Sequence, residues 1–155
     1  MAKLERFEDL MAWQKARELS RAIHEATRET GWSADRRLVE QIQGSTVAAM
    51  TRVADSFGRW EKTEELALLT EALSALVDVR SCLYVALDAG YIDGKTFEEL
   101  QKTAENVSRL IGGWRACKRK GRSGSRSPAN GSNYGNDRRT EEAEHEGRRA
   151  AYQER

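Results

Sequence analysis

The chain has one proline, Pro128, so its first 127 residues contain none. Proline inside a helix removes a backbone hydrogen bond and clashes with the preceding turn, and its absence therefore permits long helices. A β-sandwich or barrel needs turn residues roughly every 8–12 positions. The 155 residues include only 12 glycines, too few for that pattern. The sequence therefore predicts an all-α fold.

The apolar residues stop abruptly at Cys117, which divides the chain into two parts. Every Leu, Ile, Val, Phe, Met and Trp lies before it, and residues 118–155 contain none. Such a segment cannot bury enough apolar surface to offset the entropy lost on ordering. We therefore predict a folded domain over residues 1–117 and a disordered tail over residues 118–155. The tail holds ten of the 26 basic and six of the 25 acidic residues, so it carries +4 and the domain −3.

Four segments of the domain repeat apolar residues at three- and four-residue spacing, which is the pattern of an amphipathic helix. They predict helices over residues 7–30, 35–58, 63–89 and 96–118. Short connections between helices favour antiparallel neighbours. Helices of about 24 residues are roughly 36 Å long, because each residue adds 1.5 Å. We expect an up-down-up-down antiparallel four-helix bundle.

Single residues indicate where these helices end or come close together. Gly31 and Gly90 follow the first and third predicted helices, where glycine commonly adopts the left-handed conformation that stops a helix. Thr96 and Glu99 have the spacing of a capping box at the start of the fourth. Gly44 lies inside the second helix, where glycine costs on the order of 1 kcal/mol. We attribute Gly44 to the close approach of a neighbouring helix.

The third predicted helix is apolar on nearly all sides. Sixteen of the 22 residues from 66 to 87 are apolar or alanine, and Glu64, Glu71 and Asp78 leave one narrow polar stripe. Because a helix in a monomeric bundle buries one face, this pattern predicts that the third helix also forms the interface of a homo-oligomer. The alternative is a central helix wrapped by the other three. The predicted interface residues are Leu68, Ala72, Ala75, Val79, Cys82 and Ala86.

A run of cations at the end of the domain has a direct rationale for nucleic acid. Residues 118–126, KRKGRSGSR, carry five positive charges and no negative one. Flexible cations displace counterions from phosphates with little sequence preference. The alternative is a solvated end that stabilises the C-terminus of the fourth helix through its dipole. The candidate nucleic-acid-binding residues are Lys118, Arg119, Lys120, Arg122 and Arg126, with Arg52 and Arg59 of the second helix as weaker candidates.

The sequence contains no recognisable constellation for catalysis. A di-metal bundle needs Glu-x-x-His pairs, and the residue three before His24 is Arg21. Cys82 is interpreted as a core residue of the apolar third helix, and Cys117 as a thiol beside the basic run without a partner base. We therefore predict no catalytic residue, no metal and no cofactor. Without an apolar leader or a membrane-length run, we expect a cytoplasmic protein with no membrane partner.

Five stretches of the domain resemble, in their order and spacing, the motifs of a known protein family. They are FEDLMAWQKARELSRAI at 7–23, LVEQI at 38–42, VADSFGR at 53–59, RSCLYVALDAGYI at 80–92 and VSRLIGGW at 107–114. Over about residues 5–117 the chain resembles a family of bacterial four-helix bundle proteins. That family includes the proteins encoded in intervening sequences of 23S rRNA genes and the accessory variability determinants of diversity-generating retroelements.

The resemblance implies a left-handed bundle that assembles as a ring-shaped homopentamer. In the retroelement branch, the ring binds the reverse transcriptase and RNA. Gly112, Gly113 and Trp114, followed by a basic end, look like the C-terminus of that branch. The resemblance and the basic run lead to a hypothesis: a non-enzymatic homo-oligomer that binds RNA or DNA and acts as an accessory subunit of a retroelement reverse transcriptase. The alternatives are the ribosomal branch and a purely structural protein-binding scaffold, which the negative charge of the domain favours.

Overall fold

A computed structural model describes residues 4–120 of the chain. A 3-10 helix at Phe7–Asp9 precedes five α-helices. They are α1 (Met11–Ala26), α2 (Thr30–Ser33), α3 (Arg36–Phe57), α4 (Lys62–Asp88) and α5 (Gly94–Arg119). From residue 121 onward, the predicted tail lies outside the described residues. Within residues 4–120 all the regular structure is helical, as the sequence predicted.

The four long helices form an antiparallel bundle. α1 packs against α3 and α5, and α4 packs against the same two helices, so the four stand at the corners of a square. The direction of neighbouring helices follows from their cross-links. Lys62, at the start of α4, bonds to the carbonyl of Arg119 at the end of α5, whereas Arg80 in the second half of α4 bonds to Gln101 in the first half of α5. The predicted bundle is therefore confirmed.

The interior of the bundle is filled by aliphatic side chains from all four long helices. Moving such a side chain out of water stabilises the fold by about 1.5–3 kcal/mol. The largest aliphatic residues with less than 2% exposure are Leu19, Ile23, Ile42, Leu69, Leu76, Leu83 and Ile111. Those of α1 are four residues apart and those of α4 are seven residues apart, which is the spacing of the apolar stripes in the sequence.

A polar seam crosses the otherwise apolar contact between α1 and α3. It consists of Ser20 and Thr27 on one side and Gln43 and Thr46 on the other. Gln43 Nε2 donates to Thr27 Oγ1 at 2.8 Å, and Thr46 Oγ1 lies 3.5 Å from Ser20 Oγ. Thr27 and Thr46 are almost completely buried. Both threonine hydroxyls also donate to carbonyls nearby in the chain, Thr27 to His24 and Thr46 to Gln43. The contacts between the helices therefore favour one alignment by about 0.5–1.5 kcal/mol each, the usual net contribution of a hydrogen bond.

The first predicted helix is not continuous in the structure. Leu10, with an extended backbone of φ −70° and ψ 122°, separates the 3-10 helix from α1. α1 ends at Ala26, and Glu29 takes an extended backbone with φ −59° and ψ 143°. The chain then forms α2, whose Trp32 is 0% exposed and fills the end of the core. Gly31 therefore lies within α2 and does not stop α1. The prediction of a continuous helix over residues 7–30 that ends before Gly31 is wrong.

The other three predicted helices are found within two residues of their predicted bounds. Gly90 follows α4 with φ +76°, as its position predicted. The start of α5 differs from the prediction. Asp93 Oδ1 accepts the backbone N–H of Thr96 at 2.7 Å, so Asp93 is the capping residue and Thr96 lies inside the first turn.

Gly44 lies on an exposed side of α3. Nothing stands within 4 Å of the position that a Cβ would take there. No neighbouring helix therefore requires a glycine at this point, and the predicted close approach is wrong.

α4 occupies one corner of the bundle and is not wrapped by the other helices. Of the six predicted interface residues, Leu68 is half-buried and the other five lie in the core of the single chain: Ala72, Ala75, Val79, Cys82 and Ala86. A second copy cannot reach these five without opening the bundle. The exposed side of α4 instead carries Val77, Tyr84 and Val85, which are 61%, 54% and 51% exposed.

Candidate nucleic-acid interface

The antiparallel order brings distant segments together at each end of the bundle. Residues 58–65, which connect α3 to α4 and begin α4, meet residues 115–120 at the end of α5; we call these two segments the basic end. Lys62 Nζ donates to the carbonyl oxygen of Arg119 at 2.9 Å and links them directly. Residues 27–35 and 89–93 lie at the opposite end, which we call the closed end.

Cations outnumber carboxylates at the basic end. Its two segments contain six Lys and Arg residues and three Glu residues. Arg59, Lys62, Arg119 and Lys120 are all exposed. Arg59 Nη1 lies 3.9 Å from Glu64 Oε2, and an exposed ion pair at that distance contributes little. The excess of exposed positive charge makes this end attractive to phosphate groups.

Of the basic residues at 118–120, the part of the run that the structure describes, Lys118 is the one that contacts neighbouring side chains. Its Nζ lies 3.1 Å from Glu65 Oε1 and 4.9 Å from the centre of the Trp114 ring. Glu65 is only 6% exposed, so Lys118 neutralises a buried carboxylate. A buried charge is costly without a partner, and Lys118 therefore has a structural role in this site. The alternative interpretation, stabilisation of the end of α5 through its dipole, applies to both Lys118 and Arg119, which lie in the last turn of that helix.

Arg52 does not join the cations of the basic end. Its Nε lies 2.7 Å from Glu71 Oε2, and its Nη1 lies 3.6 Å from Asp55 Oδ2. Two carboxylates therefore surround one guanidinium, which leaves no excess positive charge for a phosphate. Arg59 stays a candidate because it lies at the basic end. Arg122 and Arg126, the remaining candidates, lie outside the described residues.

Trp60 is an exposed residue of the basic end that sequence reasoning missed. Its side chain is 101% exposed, in the connection between α3 and α4. The other three tryptophans, Trp13, Trp32 and Trp114, lie in the core or pack against it. The sequence did contain an indication of its exposure, because Trp60 comes just after Gly58 and belongs to no apolar stripe.

The structure also settles the environment of the two thiols. Cys82 is 7% exposed, and burial, followed by the charge of Asp78, raises the pKa of its thiol. Its interpretation as a core residue is confirmed. Cys117 is exposed and lies next to Lys118. In the part of the chain that the structure describes, no group of three His, Cys, Asp or Glu side chains could hold a metal ion.

No helix among residues 4–120 is both long enough and apolar enough to cross a bilayer. A family comparison gives a more specific result. The family model for 23S rRNA-intervening sequence proteins matches residues 8–113, which is more than half of the chain. The chain belongs to this family. No curated protein matches it.

The family match covers the bundle and ends just before the last turns of α5. The matched region of this 23S rRNA-intervening sequence family member includes Arg59 and Trp60 but stops at Gly113. Lys118, Arg119 and Lys120 therefore come after the matched region. The basic end thus combines residues from inside the family match with residues that follow it.

Proposed function

We propose that the protein is a non-enzymatic, homo-oligomeric bundle that binds RNA through its basic end. The observation that carries the proposal is the clustering of Arg59, Arg119 and Lys120 where α5 ends. Beyond this point the sequence continues with Arg122 and Arg126 and no intervening acidic residue. Contacts of this kind are made with phosphates, so they carry little sequence preference and depend strongly on salt.

The proposal includes self-association through the exposed side of α4. Val77 and Val85 lie two helical turns apart there, and Tyr84 packs edge-on against Phe97 of α5 with ring centres 4.9 Å apart. Clustered exposed apolar side chains are typical of association surfaces. Several copies would bring several basic ends to one RNA, and this multivalency strengthens binding without any new contact.

Self-association has a direct test in light scattering at micromolar concentration. The double substitution Val77→Asp and Val85→Asp should convert the wild-type oligomer to a monomer, because it places charges inside the apolar contact. Val47→Asp is the matched control, since Val47 is also exposed, at 40%, but lies on α3. A monomeric wild type would contradict self-association.

The partner in the proposal is a retroelement reverse transcriptase, which the bundle would serve as an accessory subunit. Support comes from the resemblance of Gly112, Gly113 and Trp114 with the following cations to the retroelement branch. The family description itself names the ribosomal branch. The gene neighbourhood discriminates between them: a reverse transcriptase gene with a template repeat supports the accessory role, and an rRNA gene supports the ribosomal branch.

RNA binding is tested by charge reversal at the two ends of the bundle. The double substitution Arg119→Glu and Lys120→Glu removes two exposed cations from the basic end. Arg36→Glu with Arg37→Glu makes the same change of charge at the start of α3, near the closed end. The two sites are separated by about the length of a 22-residue helix, roughly 33 Å, which is three or more Debye lengths at 0.1 M salt.

The measurement is fluorescence anisotropy of a labelled 20-nucleotide single-stranded RNA, titrated with protein at several salt concentrations. The wild type should bind with an affinity that falls steeply with salt, and the Arg119/Lys120 variant should lose at least tenfold. The Arg36/Arg37 variant should stay within about twofold because its charges are screened from the site. Absent or salt-insensitive binding would overturn the proposal and favour the protein-binding scaffold.

A further inference from the structure

The exposure of Trp60 requires an explanation that packing cannot provide. A tryptophan side chain is large, and burying it contributes more than burying any aliphatic side chain. Trp60 is 101% exposed, so it makes no such contribution to the bundle. Its three counterparts at Trp13, Trp32 and Trp114 all pack against the core. An exposed indole is a flat, rigid surface available to a ligand.

The backbone that carries Trp60 is held on both sides. The N–H of Arg59 donates to the carbonyl of Ser56 at 3.3 Å, and the N–H of Glu65 donates to the carbonyl of Glu61 at 3.0 Å. Lys62 Nζ bonds to the end of α5. The connection is only four residues long, from 58 to 61, so the indole extends from a fixed point of the bundle.

Exposed cations stand on both sides of this indole. Arg59 precedes it, and Lys62 is two residues away, which places the Cα atom of each within about 7 Å of the Cα atom of Trp60. Through Lys62, Trp60 lies beside the segment that carries Arg119 and Lys120. Of the three carboxylates nearby, Glu65 pairs with Lys118 and Glu64 faces Arg59. The third, Glu61, is exposed and directly follows Trp60, so the cations still exceed the carboxylates there by six to three.

An aromatic surface among cations fits a single-stranded nucleic acid. Each unpaired base offers a flat face for stacking while the adjacent phosphates contact cations, and alanine substitution of such an aromatic residue typically costs about 1–3 kcal/mol per base. Bases inside a duplex already stack on each other and offer no face. We infer that Trp60 is a stacking platform for an unpaired base, and that the basic end therefore prefers single-stranded RNA to duplex. This inference rests on the proposed function.

The test compares Trp60→Ala and Trp60→Phe with the wild type on two probes. One is a labelled single-stranded 20-nucleotide RNA, and the other is a 40-base-pair RNA duplex, long enough that its ends contribute little. Val47→Ala is the matched control, because Val47 is an exposed apolar residue away from the basic end. Anisotropy is measured at several salt concentrations, and thermal unfolding verifies that each variant is folded.

Trp60→Ala should weaken single-strand binding by about 5- to 150-fold, which corresponds to the loss of one stacked base. Its duplex affinity and its salt dependence should stay unchanged, because no phosphate contact is lost. Trp60→Phe should retain most of the single-strand affinity, and Val47→Ala should match the wild type.

Two groups of outcomes would overturn the inference, and they can be told apart from failure of the proposed function. If the wild type binds RNA with steep salt dependence and Trp60→Ala binds equally well, Trp60 is not a stacking platform, as expected if it docks a protein. Equal losses on single strand and duplex, or wild-type preference for duplex, would also overturn it. If the wild type binds neither probe, the proposed function itself fails.

Discussion

The two ends of the bundle each carry a tryptophan, which is buried at one end and exposed at the other. At the closed end, Trp32 is 0% exposed and stacks on Tyr91 with ring centres 6.5 Å apart. The hydroxyl of Tyr91 donates to Asp35 Oδ2 at 3.1 Å, and Asp35 caps α3 by accepting the N–H of Leu38. At the basic end, Trp60 is entirely exposed among cations.

This difference indicates a division of roles along the bundle axis. The closed end joins its two segments, residues 27–35 and 89–93, through aromatic packing and a hydrogen bond to a capping residue, which contribute to stability. The basic end leaves its largest aromatic ring and most of its cations exposed, which contributes nothing to the core. Substitutions at the closed end should therefore change unfolding, whereas substitutions at the basic end should mainly change binding.

The largest expected difference is between the two tryptophans. Trp32→Ala should lower the free energy of unfolding by about 3–5 kcal/mol, because it empties a buried site that neighbouring side chains cannot refill. Trp60→Ala should change it by less than about 0.5 kcal/mol, as is usual for exposed positions. Urea unfolding followed by circular dichroism measures both. Similar decreases in the free energy of unfolding of the two variants would contradict the proposed division of roles.

A second comparison lies within the basic end itself. Lys118→Met should lower the free energy of unfolding by about 1–3 kcal/mol, because Glu65 would lose the partner of its buried carboxylate. Lys120→Met removes an exposed cation two residues away and should cost less than about 0.5 kcal/mol. The same urea titration measures the two variants. If Lys118→Met were as stable as Lys120→Met, Lys118 would count as a binding cation like its neighbours.

The glycines that end α3 and α4 provide a third, smaller comparison. Gly90 at the closed end has φ +76°, so Gly90→Ala should cost about 1–2 kcal/mol through strain in the left-handed region. Gly58 at the basic end has φ −92° and free space around its Cβ position. Gly58→Ala should therefore be neutral or stabilise by up to about 1 kcal/mol. Thermal unfolding compares them, and equal effects would contradict the assigned conformations.

The smallest expected effect is a pH dependence at the closed end. The hydrogen bond to Asp35, followed by burial and the charge of Asp35, raises the pKa of Tyr91 above its ordinary value near 10. The unfolded chain therefore loses this proton first as the pH rises. The stabilisation by Tyr91 should be fully present below about pH 10 and decline as the pH rises through the folded-state pKa.

Tyr91→Phe isolates this effect from the other groups that titrate at high pH. The wild type should exceed the variant in unfolding temperature by a constant margin between pH 6 and pH 9, and the margin should shrink above about pH 10. Differential scanning calorimetry at each pH gives the margin. A margin that stays constant to pH 11 would show that the Tyr91 hydroxyl does not contribute through its bond to Asp35.

Much of the fold was predictable because it depends on local patterns. The apolar stripes located α3, α4 and α5 within two residues, and Gly90 marked the end of α4. The break after Ala26 was not predictable in the same way. It allows Trp32 to reach Tyr91, a residue far along the chain, and periodicity within one helix contains no information about such a contact.

The candidate site was predictable only in part, for a related reason. The cations of residues 118–120 were evident, but the pairing of Lys118 with Glu65 depends on the alignment of α4 with α5. The positive charge of Arg52 is likewise neutralised by an ion pair with Glu71 on the adjacent helix. The sequence could not show which side of α4 is exposed, because the buried side and the exposed side of this helix are both apolar. Only the packing of the bundle shows that Val77 and Val85 face outward.

The polar seam between α1 and α3 has a consequence for how the molecule can be altered. Two purely aliphatic helices can slide past each other by one turn, about 5.4 Å, and pack almost as well. Here such a slide would separate Gln43 from Thr27 and lose the hydrogen bond between them. The seam therefore fixes the axial position of α1 relative to α3. A variant with leucines in place of the seam would bury more apolar surface and lose this fixed alignment of α1 with α3.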